Sequence, residues 1–267
     1  MTIDIDLHEY IRQLRTAGAE LPMPLAQRIV AGGEHVVAAL VALAIDTDLL
    51  NNAVPLCYAP LHALRLLGEI RSLACITPLI HAGVPAAPDK TREQRATIWD
   101  GEIPQIIARI GQAAFAPLLD LLDDDHTSNI GHHRAAIALA YLSLYALDMQ
   151  PAVVAALEAR LGSSDTDRNA SAALALANMG SESSYKVVME AYKAGLLSKD
   201  AVQPGPLRQL LLSRSNARLA CVNHPLGERY AHHPLNEQPR TYRSTSATVM
   251  RAGGITVTVA PTTHQWR

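Results

Sequence analysis

An all-α chain built as a stack of helix–turn–helix pairs is what the sequence predicts, and three observations predict it. Ala and Leu carry the apolar content: hydrophobic residues make up 49% and aromatics only 4%, with a single Phe. Small and unbranched side chains favour helices and let them approach closely. Within Pro60–Gly83, PLHALRLLGEIRSLACITPLIHAG, Leu64, Leu67 and Ile70, then Ile76, Leu79 and Ile80, fall on stripes at helical spacing. The unit also recurs: FAPLL at Phe115–Leu119 matches ITPLI at Ile76–Ile80, with Pro117 39 positions after Pro78. Proline fits a helix without a kink only in its first turn, so its return at one phase marks the same point in two copies. The expectation is an α-solenoid of about five helix pairs over residues 1–213. A C-terminal extension, 214–267, is partly β or irregular and contains a short β-hairpin.

Taken in order, Asp6–Thr16 reads as an amphipathic helix with Leu7, Tyr10, Ile11 and Leu14 on one face, ended by Gly18. Pro24–Ala31 and Glu34–Ile45 form the first pair, split by Gly32–Gly33; the second member is apolar on nearly every side and should be buried. The Pro60–Gly83 pair follows, with its break placed around Gly68–Ser72, and Pro85–Lys90 is a loop. Thr91–Ile110 is helical with an irregularity near Gly101 and Pro104, which puts Trp99 and Asp100 in a loop-like stretch as packing and a helix cap. Ile110–Asp125 supplies the next short helix. The fourth unit is His132–Leu147 with Pro151–Leu161, and the fifth is Asp167–Met179 with Ser183–Ala194, broken at Gly180. A last short helix runs from Pro206 to Ser213. Leu64, Leu79, Phe115, Leu118, Leu157 and Val188 occupy the stripe positions and are the expected core.

After Ser213 the character changes. Residues 214–267 hold seven arginines, no lysine and two acids, so 7 − 2 = +5; with a total of −2, the rest carries −2 − 5 = −7. Ile255–Val259 alternates and is rich in β-branched residues, which suggests the hairpin over Ser246–Val259. A lone hairpin is marginal in water. It should therefore be ordered by docking over the fifth unit, with Ile255, Val257 and Val259 facing the protein, or else by pairing its edge with another chain.

The pattern Ala-Leu…Gly-x-Ile…x-x-Pro-Leu-Ile in Ala63–Ile80 resembles HEAT repeats, of the short bacterial type also seen in phycobilin-lyase-like proteins. The resemblance covers roughly Pro24–Ala194, and it implies that the second helix of each pair lines a concave face. Function is not implied, since unrelated activities share such folds. One HEAT-repeat enzyme, deoxyhypusine hydroxylase, binds iron through repeated His-Glu pairs. Here a single His-Glu stands at His8–Glu9, and unit four has His133–Arg134 instead.

Two clusters bear on metals. Asp120, Asp123, Asp124, Asp125, His126, His132 and His133 form an acidic-histidine run, and Cys221, His224, His232 and His233 have zinc-type donors. Neither meets a known ligand spacing, so no metal and no cofactor is expected. Nucleophile-elbow, phosphate-loop and paired metalloprotease motifs are absent from the sequence. Three cysteines, Cys57, Cys75 and Cys221, make no disulfide framework. The N-terminus lacks a basic region followed by an apolar one, and the expectation is a cytoplasmic protein without a membrane role.

What remains is the inner face. Aligning the second helices puts His81, Asp120 and Glu190 in one row and Thr77, Ala116 and Lys186 in another, with Tyr185 and Tyr192 as possible anchors. The function expected is a non-catalytic scaffold that binds a protein or peptide through Thr77, His81, Asp120, Tyr185, Lys186 and Glu190. The alternatives are a chromophore-lyase-like enzyme or subunit holding a small molecule, and nucleic-acid binding through the arginine-rich tail.

Overall fold

The computed structural model describes residues 7–213, 219, 223–232, 235, 248–252 and 255–259. Its helices are α1 (Leu7–Thr16), α2 (Met23–Ala31), α3 (Glu34–Ala44), α4 (Ala59–Ile70), α5 (Ile76–His81), α6 (Lys90–Ala108) and α7 (Phe115–Asp123). They continue with α8 (Asn129–Tyr145), α9 (Gln150–Glu158), α10 (Thr166–Asn178), α11 (Tyr185–Lys193), α12 (Pro204–Leu212) and α13 (Leu226–His232). No strand occurs within residues 7–213. No single helix among the described residues is long and apolar enough to cross a membrane.

Helices α2, α4, α6, α8, α10 and α12 pack each against the next in one continuous layer. Between them come α3, of eleven residues, and the short helices α5, α7, α9 and α11, of six to nine, each of which touches the layer helix that follows it. From α4 onward every long helix ends in a tight turn. A single 3-10 turn then leads into the short helix: Leu73–Cys75, Gln112–Ala114, Leu147–Met149 and Glu182–Ser184. The chain changes direction there; α7 is turned by 107° from α6. Pro78, Pro117 and Pro151 all lie in the first turn of a short helix, where a missing N–H costs nothing. Tandem units that each contact mainly their neighbours make this a helical-repeat protein.

Loops are tied down by the N-terminal turns of the long helices. Arg95 of α6 donates to the carbonyls of Leu50 at 2.7 Å and Asn52 at 3.1 Å, and the Trp99 indole donates to Ala44 O at 2.8 Å. Thirty-nine positions on, Arg134 of α8 donates to Ile80 O at 3.1 Å and Ala82 O at 2.5 Å. These carbonyls end a short helix or begin the loop after it, where intrahelical partners run out. Helices α6 and α8 thus each hold the connection that leads into the layer helix before them.

Several expectations need correction. The expected break falls at the far end of Gly68–Ser72 and not at the glycine: α4 runs through Gly68 to Ile70, and Arg71 makes the turn at φ 63°. Gly68 serves close packing instead, since a Cβ there would stand 2.7 Å from Ile106 Cδ1. Pro104 does not interrupt α6, which α4 and α8 flank; the Gln105 side chain donates to Gly101 O at 2.9 Å beside it. Trp99 is packing, as expected, but within a helix, and Asp100 is an ion-pair partner of Arg134 rather than a cap. Leu64, Leu79, Leu118, Leu157 and Val188 are fully buried, whereas Phe115 is only half-buried because it opens α7 at the layer edge.

In the extension, α13 lies on α4 near the start of the ladder. The facing of the Ile255, Val257 and Val259 side chains lies outside what is described.

Leu79 tests the phase of the repeat. It is fully buried on the six-residue helix α5, which has few side chains to close a gap. Leu79→Ala should lower the unfolding free energy by about 2–5 kcal/mol, read from urea midpoints. A loss under about 1 kcal/mol would show that the site is not core.

Candidate functional site

The residues chosen from sequence lie on the short helices. Thr77 and His81 on α5, Asp120 on α7, and Lys186 and Glu190 on α11 are exposed; Tyr185 and Tyr192 are half-buried. Within that set Lys186 Nζ lies 4.0 Å from the Glu190 carboxylate, a pair internal to one helix. The structure does not gather them into a cluster. Acids at the end of α7 are spoken for: Asp123 pairs with Arg160 at 2.5 Å and Asp125 with Arg168 at 2.8 Å. Asp124 is held below the usual carboxylate range, chiefly by the His126 backbone N–H. No group of three or more metal-type donors exists among the described residues. Of the tail set, Cys221, His233 and the side chain of His232 lie outside the described residues.

A different constellation forms where α13 meets α4 and α6. Helix spacing dictates it: His62, Arg65 and Glu69 stand at i, i+3 and i+7 on α4, and Glu102, Gln105 and Arg109 repeat that spacing on α6 forty positions later. Arg65 is fully buried and grips Glu102 through Nε at 2.9 and 3.0 Å, and through Nη2. Arg109 donates to Glu69 at 2.7 Å, to Gly68 O at 3.2 Å and to His224 O at 2.9 Å. The absent side chain at Gly68 is what lets α6 bring Arg109 this close.

From the tail, α13 contributes Leu226, Arg229 and Tyr230, all buried. Arg229 Nη2 donates to Gln105 Oε1 at 2.7 Å; its Nε and Nη1 have no partner among the described residues. The Tyr230 hydroxyl meets His62 Nδ1 at 2.6 Å, and His62 Nε2 lies 2.8 Å from Gly18 O. A carbonyl only accepts, so Nε2 carries the proton, Nδ1 is the acceptor, and Tyr230 donates to it. Arg65 hydrogen-bonds the same hydroxyl, and its guanidinium carbon is 4.5 Å from the ring centroid.

Electrostatics follow from burial. Burial pushes His62 down to about 4 and raises the Tyr230 hydroxyl, so both are neutral at pH 7. For Arg65, burial opposes the charge, but the Glu102 carboxylate and hydrogen bonds more than offset it. Arg109 is shifted down by burial despite Glu69. The junction is a polar, water-shielded lock with no nucleophile and base poised together. The sequence signal was present in the paired i, i+3, i+7 stripes, but an apolar-stripe reading of PLHALRLL passes over the polar face.

No family model matches the chain, and no curated protein does. Solved structures similar to it include the crystal structure of an engineered protein, 19% identical, covering 82% of this chain and 98% of that one at a TM-score of 0.28. Another is a designed armadillo repeat protein, 16% identical, covering 82% of this chain and 100% of that one at a TM-score of 0.30. The helical-repeat class itself rests on the order of packing described above.

The lock sets a pH dependence. His62 titrates near 4 in the fold and near 6.5 when free, so the neutral ring is the one the fold selects. Its contribution is complete above pH 6.5 and drains away as pH falls towards 4, by roughly 3 kcal/mol if fully coupled. Urea midpoints at pH 7.5 and 4.5 should show a larger drop for the wild-type chain than for His62→Gln. Equal drops would mean that His62 is not linked to folding.

Proposed function

We propose that this protein is a non-catalytic helical-repeat scaffold that binds a protein or peptide on the face formed by its short helices. The observation that carries the reading is the row His81, Asp120 and Glu190. These charged or titratable side chains recur on α5, α7 and α11, are exposed, and serve no packing purpose in their own units. Thr77 and Lys186 flank the row, and Tyr185 offers an amphipathic anchor beside it. Such side chains on three of the helices, with Ala155 at the matching place on α9, suit an extended partner, because a solenoid presents its units along one face.

A cytoplasmic setting belongs to the same proposal, as does a hairpin in the tail. The hairpin is supported by the β-branched alternation and by an antiparallel backbone register running from Thr248 opposite Val259 to Ala252 opposite Ile255.

Reversing two charges tests the face. Asp120→Lys combined with Glu190→Lys should weaken capture of the native partner at least tenfold while leaving the melting temperature within a degree or two, since exposed charges add little to stability. Partner and affinity come from a pull-down with the wild-type chain as bait, followed by titration. Unchanged affinity in the double variant would move the contact elsewhere.

A further inference from the structure

The opposite, long-helix layer carries an inference independent of the short-helix face. We infer that the surface of α4 and α6 is a recognition surface for a helical peptide, and that α13 is its resident occupant. The partner it fits is a helix presenting leucine, arginine and tyrosine at positions i, i+3 and i+4, as Leu226, Arg229 and Tyr230 do.

Four observations carry this. First, α13 has seven residues. A helix so short does not persist in water by itself, so it is helical because it is bound, as a docked peptide would be. Second, the surface beneath it is polar: His62, Arg65, Glu69, Glu102, Gln105 and Arg109. Apolar ladder contacts such as Leu64, Leu67, Ile103 and Ile107 are buried within the layer itself. Lifting α13 off would expose groups that water solvates readily, and Arg65–Glu102 and Arg109–Glu69 would stay paired. An obligatory core contact has the reverse character.

Third, the tyrosine is read by its hydroxyl as well as by its ring. His62 accepts its proton, and Arg65 donates to it and covers its face. A site built to bond a hydroxyl rejects a partner without one, because His62 and Arg65 are then left with buried unmet valences. Fourth, the occupant's fit is incomplete: Arg229 is buried, yet two of its N–H positions meet no acceptor among the described residues. A competing helix that carries an acceptor beside its own arginine would fit better than the tail does.

Occupation by the tethered helix makes the surface self-masked. Intramolecular docking acts at a high effective concentration, so an incoming peptide must displace α13. The probe is a fluorescently labelled peptide of residues 223–235, titrated by anisotropy against the full-length chain. A Tyr230→Ala chain, altered only in the occupant, should bind it at least tenfold more tightly than the wild-type chain. Replacing the tyrosine of the peptide by alanine should cost at least tenfold on that same protein. Equal binding by the two chains, or no saturable binding by the Tyr230→Ala chain, would overturn the inference. So would loss of the ladder's helical circular dichroism in that variant, since α13 would then be core rather than occupant.

Discussion

Helix pairs this short have no interior of their own. The six residues of α5 place Ile76, Leu79 and Ile80 on one side, and among the described residues α3, α6, α7 and α8 pack around them. Every unit is therefore stable only as a neighbour, and burial passes along the long-helix layer from α2 to α12. The same constraint explains the composition. Ala135, Ala136, Ala138 and Ala140 on α8 are all buried, because α8 is flanked by α6 and α10 and also touches α5, α7 and α9. A helix surrounded in this way shows no clear amphipathic stripe; it needs small side chains all round.

Close stacking has a polar counterpart. Packing helices side by side leaves carbonyls unmet where the short helices end, and the ladder meets them with arginines rather than caps. Arg95 and Arg134 perform this task 39 positions apart, each buried and each bonded to carbonyls of the preceding connection. Arg134 is steadied further by Asp100 at 2.8 Å and by the Trp99 ring, whose centroid is 5.4 Å from its guanidinium carbon. Arginine suits this role because its planar fork reaches several oxygens at once and is less strongly hydrated than lysine. In α10 Asn169 ties the two flanking connections instead: its amide donates to Ser163 O just before α10 at 2.7 Å and to Leu196 O after α11 at 2.8 Å. A shorter side chain suffices there because both carbonyls lie close by.

Much of the ladder was legible in the sequence. The return of proline at one phase located the short helices, and the apolar stripes located Leu64, Leu79, Leu118, Leu157 and Val188 in the core. Legibility failed where a residue's role depends on a distant partner. Gly68 reads locally as a breaker, yet it is small because Ile106 approaches to 2.7 Å of where its Cβ would be. Pro104 reads as an interruption, yet burial of Ile103, Ile106 and Ile107 outweighs one missing hydrogen bond. The polar junction failed for the same reason. His62 and Tyr230 are 168 positions apart, and nothing local to HPLGERY says that its tyrosine ends beside a histidine inside PLHALRLL. Only the matched stripes at 62, 65, 69 and 102, 105, 109 hint at it, and a stripe alone says that two helices share a polar face, not what covers it.

What covers it decides how the two faces of the protein differ. On the short-helix side the charged row is open to water, so contacts there exchange one solvated state for another and gain little from each pair. On the long-helix side His62, Arg65 and Tyr230 are shielded, and each hydrogen bond is correspondingly costly to leave unmade. Burying paired charges is a poor source of stability compared with apolar packing, because desolvation consumes most of the attraction. Their value at this junction is selectivity: a leucine in place of Tyr230 would fill volume but leave His62 Nδ1 without a donor. The ladder thus keeps its stability in its apolar layer and its discrimination in its polar face, and the two can be altered separately because they share few side chains.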